Sequence, residues 1–407
     1  MPLLRRYAIV LMLFAGSAMA QADPDRNPNL YLDAMQAIAE GRKKDASDTL
    51  ARMIEQEPEH AGAWLDLAIL QCELGHTEKA EQLFDSIEKR FSPPSGIMDV
   101  ITYQRTKGCV PWQPGARTLM SIGRGTDSNV NQGTRNPNFT IGSGDTRIEL
   151  QLLPEYFPKK DSYTLLSMEY ARDLNANGTI GFIQFQARHN DSLTKYNTAS
   201  LAASVEHPWR IANWGVRGLG TLAALSLGGR LYQEQGQVQA QITPPLPLPD
   251  NIQLKAVAGL AHVIYPTLRD FNSNMWDIRG VLSYKHGQHQ IVSSLGYLAD
   301  RGTSTRPGGN RHGQLLSLHG RTSLTTNTFG ELSWTHQSWR SDLPYSPGLI
   351  DQTRHQKTRT LRAAVIVPIN NRHSLHFEWR QTRNKENISI FEYDNRSIQL
   401  NWQWQAF

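Results

Sequence analysis

A mixed fold is predicted, with an all-α domain of helical repeats followed by an antiparallel β-barrel of about 14 strands. Three observations carry that prediction. The first 20 residues read as an export signal, residues 29–94 repeat at a helical period, and from Gly115 onward apolar residues fall at every second position.

The leader, residues 1–20, has Arg5 and Arg6, an apolar run from Ala8 to Ala15, and Ser17-Ala18-Met19-Ala20, where small residues fit cleavage before Gln21. Its apolar part is too short for an anchor, and no later stretch reaches the eighteen or so apolar residues of a spanning helix. The chain is therefore expected to leave the cytoplasm. Its two cysteines, Cys72 and Cys109, fit one bridge in an oxidising periplasm. Two unpaired buried thiols remain equally open, because sequence gives no distance between them. Lysine and arginine exceed the acids by 42 − 37 = +5, and no basic run points to nucleic acid.

Residues 27–110 form the first domain, expected in the periplasm. A period of 34 relates Ala34 to Ala68, Gly41 to Gly75, Ala46 to Ala80 and Leu50 to Phe84, which is tetratricopeptide arithmetic. In the second repeat Trp64, Leu67, Ala68, Gly75, Ala80 and Phe84 take the aromatic, Leu, small, turn, Ala and Phe positions of that pattern. Small residues let two antiparallel helices approach while large ones fill the space beside them. Two repeats bury little surface, so a capping helix over roughly 97–107 is expected, with Cys109 just behind it.

Residues 111–407 alternate. Gln233, Gln235, Gln237, Gln239 and Gln241 share one parity, with Val238, Ala240 and Ile242 on the other, and this predicts a lumen-facing ladder of amides. Ile183, Phe185 and Ala187 alternate with Gln184, Gln186 and Arg188 in the same way, as do Leu375, Phe377 and Trp379 with His376, Glu378 and Arg380. The segments run about ten to thirteen residues, longer than soluble strands and long enough for a tilted strand to cross a bilayer. Lipid leaves unpaired backbone groups too costly, so the sheet must close. Short turns at 286–287, 325–327 and 370–372 alternate with long loops at 300–311, 340–355 and 384–394, the asymmetry of outer-membrane barrels. Arg301, Arg306 and Arg311 are read as keeping one of those loops soluble. About fifteen segments are visible and fourteen is the even choice, with 116–125 either a first strand or a segment in the lumen.

Between the two domains stands GRGTDSNVNQGTRNP, residues 123–137. Helical repeats, then a strand running into Asp127-Ser128-Asn129-Val130-Asn131, then a barrel, resembles the surface lipoprotein assembly modulator (Slam) family and its relatives in type XI secretion. The resemblance covers essentially the whole mature chain, and its sharp motif is those five residues. It implies a 14-stranded outer-membrane barrel with a periplasmic tetratricopeptide domain, and a lipoprotein or secreted protein as client. The helical domain here is shorter than in longer members, leaving less surface to grip a client. The terminal strand, with Trp402, Trp404 and Phe407, resembles the signal read by the barrel assembly machinery, although Phe407 has the opposite parity to the two tryptophans.

No H-E-x-x-H, G-x-S-x-G or P-loop occurs, so neither an enzyme nor a cofactor is expected. His286 and His289 flank a turn and His189 stands alone, a spacing that suits solvated or lumenal histidines better than metal ligands. Three functions are carried forward: translocation of a protein client through the barrel to the cell surface, export of an exopolysaccharide, and passage of small solutes.

Overall fold

The computed structural model describes residues 30–109, 111–142, 147–211, 213–249 and 251–406. The leader and Phe407 lie outside them. The chain divides into two compact units, up to Trp112 and from Gln113 onward.

The first unit has helices α1 (Leu30–Ala39), α2 (Lys43–Gln56), α3 (Ala61–Glu73), α4 (Thr77–Phe91) and α5 (Ser95–Lys107). Gly41 and Gly75, one period apart, end α1 and α3 at φ of 75° and 82°, a left-handed conformation that glycine adopts without strain. The same period recurs in the caps, where Arg42 N–H donates to Ala37 O at 2.8 Å and His76 N–H to Gln71 O at 2.9 Å. These bonds satisfy terminal carbonyls in the manner of a Schellman motif. Ala34, Ala46, Ala68 and Ala80 are wholly buried where helices meet, with Leu50 and Phe84 filling the interior. Burial contributes about 1.5–3 kcal/mol for each of those two large side chains. Trp64 is half-buried, and its indole N–H donates to Pro58 O at 3.0 Å. Capping helix α5 inserts Ile101 against the Phe84 and Ile87 cluster. A disulfide joins Cys72 to Cys109, with Cα atoms 4.7 Å apart.

The second unit begins with β1 (Ala116–Asp127), which settles the first segment as a strand. A separate hairpin, β2 (Asn138–Ile141) and β3 (Ile148–Gln151), follows. The wall continues through β4 (Asp161–Asp173), β5 (Ile180–Asn190), β6 (Thr198–Ile211), β7 (Trp214–Leu227), β8 (Arg230–Thr243), β9 (Ile252–Ile264) and β10 (Ser273–His286). It ends with β11 (His289–Gly302), β12 (Arg311–Thr325), β13 (Thr328–Ser346), β14 (Ile350–Pro368), β15 (His373–Glu386) and β16 (Tyr393–Ala406). Neighbours pair antiparallel, and β1 closes the cylinder by pairing with both β16 and β4, giving fourteen strands.

One rim carries the tight turns 287–288 and 326–327 together with Ala116 and Ala406. The other carries the segments 128–142 and 147–160 and the loops 265–272, 303–310 and 387–392. The contrast is not uniform, since Gly228-Gly229 is a tight turn on the loop rim while 174–179 and the stretch from 244 to 249 are long on the opposite one. The expected loop at 340–355 is mostly sheet. Strands β13 and β14 each run 19 residues and extend as a hairpin past their neighbours to a tip at 347–349. The register shifts around Pro344, whose missing N–H breaks the ladder there.

Candidate functional site

Strand parity separates two surfaces. Outward, Leu222, Val238 and Ile278 are 71 %, 63 % and 67 % exposed, an apolar belt suited only to lipid. Trp209, Trp214 and Trp402 lie exposed near the tight-turn rim, and Trp276 and Tyr297 near the loop rim, as two aromatic girdles. Trp404 shares the parity of Trp402 and sits beside His373.

Inward, the five glutamines of β8 stand in a row. The Gln233 amide donates to Gln235 at 3.3 Å and Gln235 to Gln237 at 3.1 Å. Arg279 donates to Gln239 Oε1 at 3.3 Å while its Nε holds Asp277 at 2.6 Å. On the opposite wall Arg362 reaches Glu378 at 2.6 Å and Glu331 at 3.0 Å, and Arg380 reaches Glu378 at 2.9 Å. These charges compensate one another within the wall, so the lumen there is polar without one dominant sign. Among histidines, His189 contacts Asn197 and His289 contacts Thr322, while His286 stacks on Tyr284.

The DSNVN residues stand at the far end of β1, on the loop rim, a full strand length from the domain junction. Asp127, 3 % exposed, accepts from Arg188 Nη2 at 2.8 Å and from the Asn129 N–H at 2.9 Å. Ser128 extends the β1–β16 pairing, its N–H donating to Arg396 O and its Oγ accepting from the Arg396 N–H. Asn129, 1 % exposed, accepts from the Gly133 N–H at 2.7 Å and donates to Gly133 O at 2.8 Å and Asp394 O at 3.0 Å. Val130 N–H donates to Lys159 O at 2.8 Å, and the Asn131 side chain bridges Phe157 O and Lys159 N–H, both at 2.9 Å. Asp127, Ser128 and Asn129 therefore fasten the start of the loop-rim segment after β1 to wall strands β5 and β16, while Val130 and Asn131 tie that start to the segment's other end at 157–159. Its hairpin reaches further around the rim, Gly142 donating to Leu349 O at the β13–β14 tip and Asn138 O accepting from Ser389.

The glycines before the motif have a local reason. A Cβ on Gly125 would lie 2.6 Å from the Tyr163 ring, and one on Gly123 would collide with the Asn401 amide. Tyr163 lies under the Arg188 guanidinium at 3.9 Å and donates to Gln399 at 2.9 Å, so the strand must leave space for it. Tyr163, Glu331 and Arg362 escaped the sequence reading, although inward parity was the available signal, and Arg188 was placed on the polar parity of its strand without its partner Asp127.

The arginines of the 300–311 loop correct one expectation. Arg301 points outward over Trp276, but Arg306 and Arg311 turn inward and share Asp300 Oδ2, at 2.9 and 2.6 Å. A wholly buried carboxylate holds them, so they are structural or binding groups rather than solubilising ones.

In the helical unit Tyr31 Oη donates to Asp66 at 2.7 Å. That hydrogen bond, burial and the adjacent charge push the phenol up to about 12. Among the described residues no cluster of metal-ligating side chains occurs, and no helix is long and apolar enough to cross a membrane.

A closed barrel with an apolar belt, two aromatic girdles and a polar lumen is an outer-membrane channel-type β-barrel, here preceded by a helical-repeat unit. A tetratricopeptide repeat family model matches residues 37–93. No curated protein matches the chain. The barrel is similar to the outer membrane channel DcaP of Acinetobacter baumannii, with TM-score 0.38 and 10 % identity over 72 % of this chain and 98 % of that one. An anion-selective porin from Comamonas acidovorans gives 0.39 and 9 % over 72 % and 99 %. OmpT of Vibrio cholerae gives 0.40 and 6 % over the same shares. These TM-scores lie below one half, so the likenesses say nothing about what passes through this barrel.

Proposed function

We propose that the protein is an outer-membrane translocator: its helical unit captures a lipoprotein or small secreted protein in the periplasm, and its barrel provides the route to the cell surface. The observation that carries this reading is the joining of a repeat unit, a protein-binding scaffold by construction, to a barrel whose first strand starts on the tight-turn rim. In outer-membrane barrels that rim faces the periplasm. Amide, hydroxyl and self-compensated charged groups along the wall suit an extended polypeptide, which presents donors, acceptors and charges of both signs. Folding of the client outside supplies direction, because the sequence carries no P-loop. The DSNVN residues act structurally, holding the first loop-rim segment at the edge of the mouth.

A photo-crosslinking amino acid at Gln237, in the middle of the amide ladder, tests the proposal in intact cells. Polypeptide adducts identified by mass spectrometry are expected. A folded barrel that yields none leaves passage of small solutes as the better reading, and glycan adducts instead indicate polysaccharide export.

A further inference from the structure

A second chemical site lies inside the barrel beneath the loop rim. A cavity of about 290 Å³ is lined by Tyr232, Gln233 and Gln235 of β8 on one side and by Trp339 of β13 with Arg354 and Gln356 of β14 on the other. Tyr265, Phe271 and Arg306 from the loops 265–272 and 303–310 wall it off, together with Arg311 at the start of β12. Among the described residues its charged groups do not cancel. Arg306 and Arg311 share Asp300, and Arg354 holds Glu386 at 2.6 Å, leaving three guanidinium groups against two carboxylates. One donor and one acceptor of this cluster are left over. The Arg306 side chain is 7 % exposed and its Nη1 finds no acceptor among the described residues, while Asp300 Oδ1 finds no donor there. A buried guanidinium N–H without a partner costs free energy that an anionic guest would recover. Around it stand the Gln233, Gln235 and Gln356 amides, the Tyr232 hydroxyl, and the apolar faces of Trp339 and Phe271, with the Arg311 guanidinium 4.6 Å above the Trp339 ring.

We propose that this cavity is a binding site for a small organic monocarboxylate with an aromatic or apolar body. The carboxylate meets the Arg306 and Arg311 guanidinium groups at the cavity wall and balances the excess positive charge, the body packs on Trp339 and Phe271, and the amides orient it. A site of this kind has an aromatic floor, few convergent polar groups and a preformed wall. It stands independently of what crosses the lumen.

The test is titration calorimetry of the full folded protein in detergent with three probes: benzoate, inorganic phosphate and benzyl alcohol. Benzoate should bind at one site, more tightly than either other probe. Arg306→Gln removes the orphan donor, while Asp300 keeps its bond to Arg311, and should weaken benzoate at least about tenfold. Trp339→Leu keeps the charges and removes the ring, so it should weaken benzoate while leaving any phosphate binding unchanged. Heat-modifiability of both variants confirms the folded barrel. If Arg306→Gln does not fold, Trp339→Leu alone decides, because loss of benzoate with a folded barrel supports the site. Equal binding of benzoate by wild type and folded Trp339→Leu, phosphate binding as tightly as benzoate, or no binding of benzoate overturns the proposal.

Discussion

Replacing Asn129 by alanine isolates what the DSNVN segment does. The side chain makes three hydrogen bonds, from the Gly133 N–H and to the Gly133 and Asp394 carbonyls, in a position 1 % exposed. Alanine fits the space but leaves one buried donor and two carbonyls unsatisfied. At about 1 kcal/mol for each neutral bond, rising toward the desolvation penalty for the orphaned groups, the expected loss is about 3–5 kcal/mol. The assay is urea unfolding of the barrel refolded into vesicles, followed by tryptophan fluorescence. Asn327→Ala, in an exposed turn on the opposite rim, serves as control and should change stability by less than about 0.5 kcal/mol. A loss below about 1 kcal/mol for Asn129→Ala would refute the idea that this residue fastens the segment after β1 to the wall.

Arginine at Val238 or Ala240 puts charge into lipid and should cost about 2–4 kcal/mol near the midplane, whereas arginine at Gln237 or Gln239 should assemble normally. Heat-modifiability on gels reads the difference, and equal behaviour at both parities means the lumen face is misassigned. Cys72→Ser opens a loop with a sequence separation of 37. It should destabilise the helical unit by about 4 kcal/mol in the chain-entropy account, read from far-ultraviolet dichroism melts. Unchanged melting contradicts a clamping role. The Tyr31 phenol is held protonated up to about 12 by Asp66, above its ordinary value near 10. Its stabilising contribution is therefore full below pH 10 and lost as pH rises through 12, and Tyr31→Phe should flatten the helical melting temperature across that window. A wild-type slope retained in the variant assigns the alkaline loss elsewhere.

Much of the wall was legible because lipid and lumen impose opposite demands on alternate residues. The amide ladder from Gln233 to Gln241 follows from alternation alone. The period of 34 placed Gly41 and Gly75 correctly because only a left-handed residue ends those helices cheaply. Less was legible at the loop rim. The tip of β13 and β14 contains Pro344 and Pro347, which read as loop, yet antiparallel pairing resumes on either side of the irregularity. Asp300, Arg306, Arg311 and Arg354 come from different strands and loops, and their convergence depends on barrel closure, which alternation alone does not encode. The DSNVN residues carried a recognisable pattern in which Asp127 and Asn129 read as able to hydrogen-bond backbone, but their partners at 133, 155–159, 188 and 394–396 come from several distant elements and could not be named from sequence.

The adaptor role of the helical unit is the central claim, and deletion of residues 27–110 with the leader retained tests it most directly. Cells bearing the full chain, the deletion or neither are shaved with protease from outside, and the released surface peptides are compared by mass spectrometry, beside heat-modifiability of the barrel. The account predicts that the shortened protein assembles as a folded barrel while at least one polypeptide present with the full chain disappears from the surface. An unchanged surface profile with the deletion, different from that of cells lacking the protein, would contradict it.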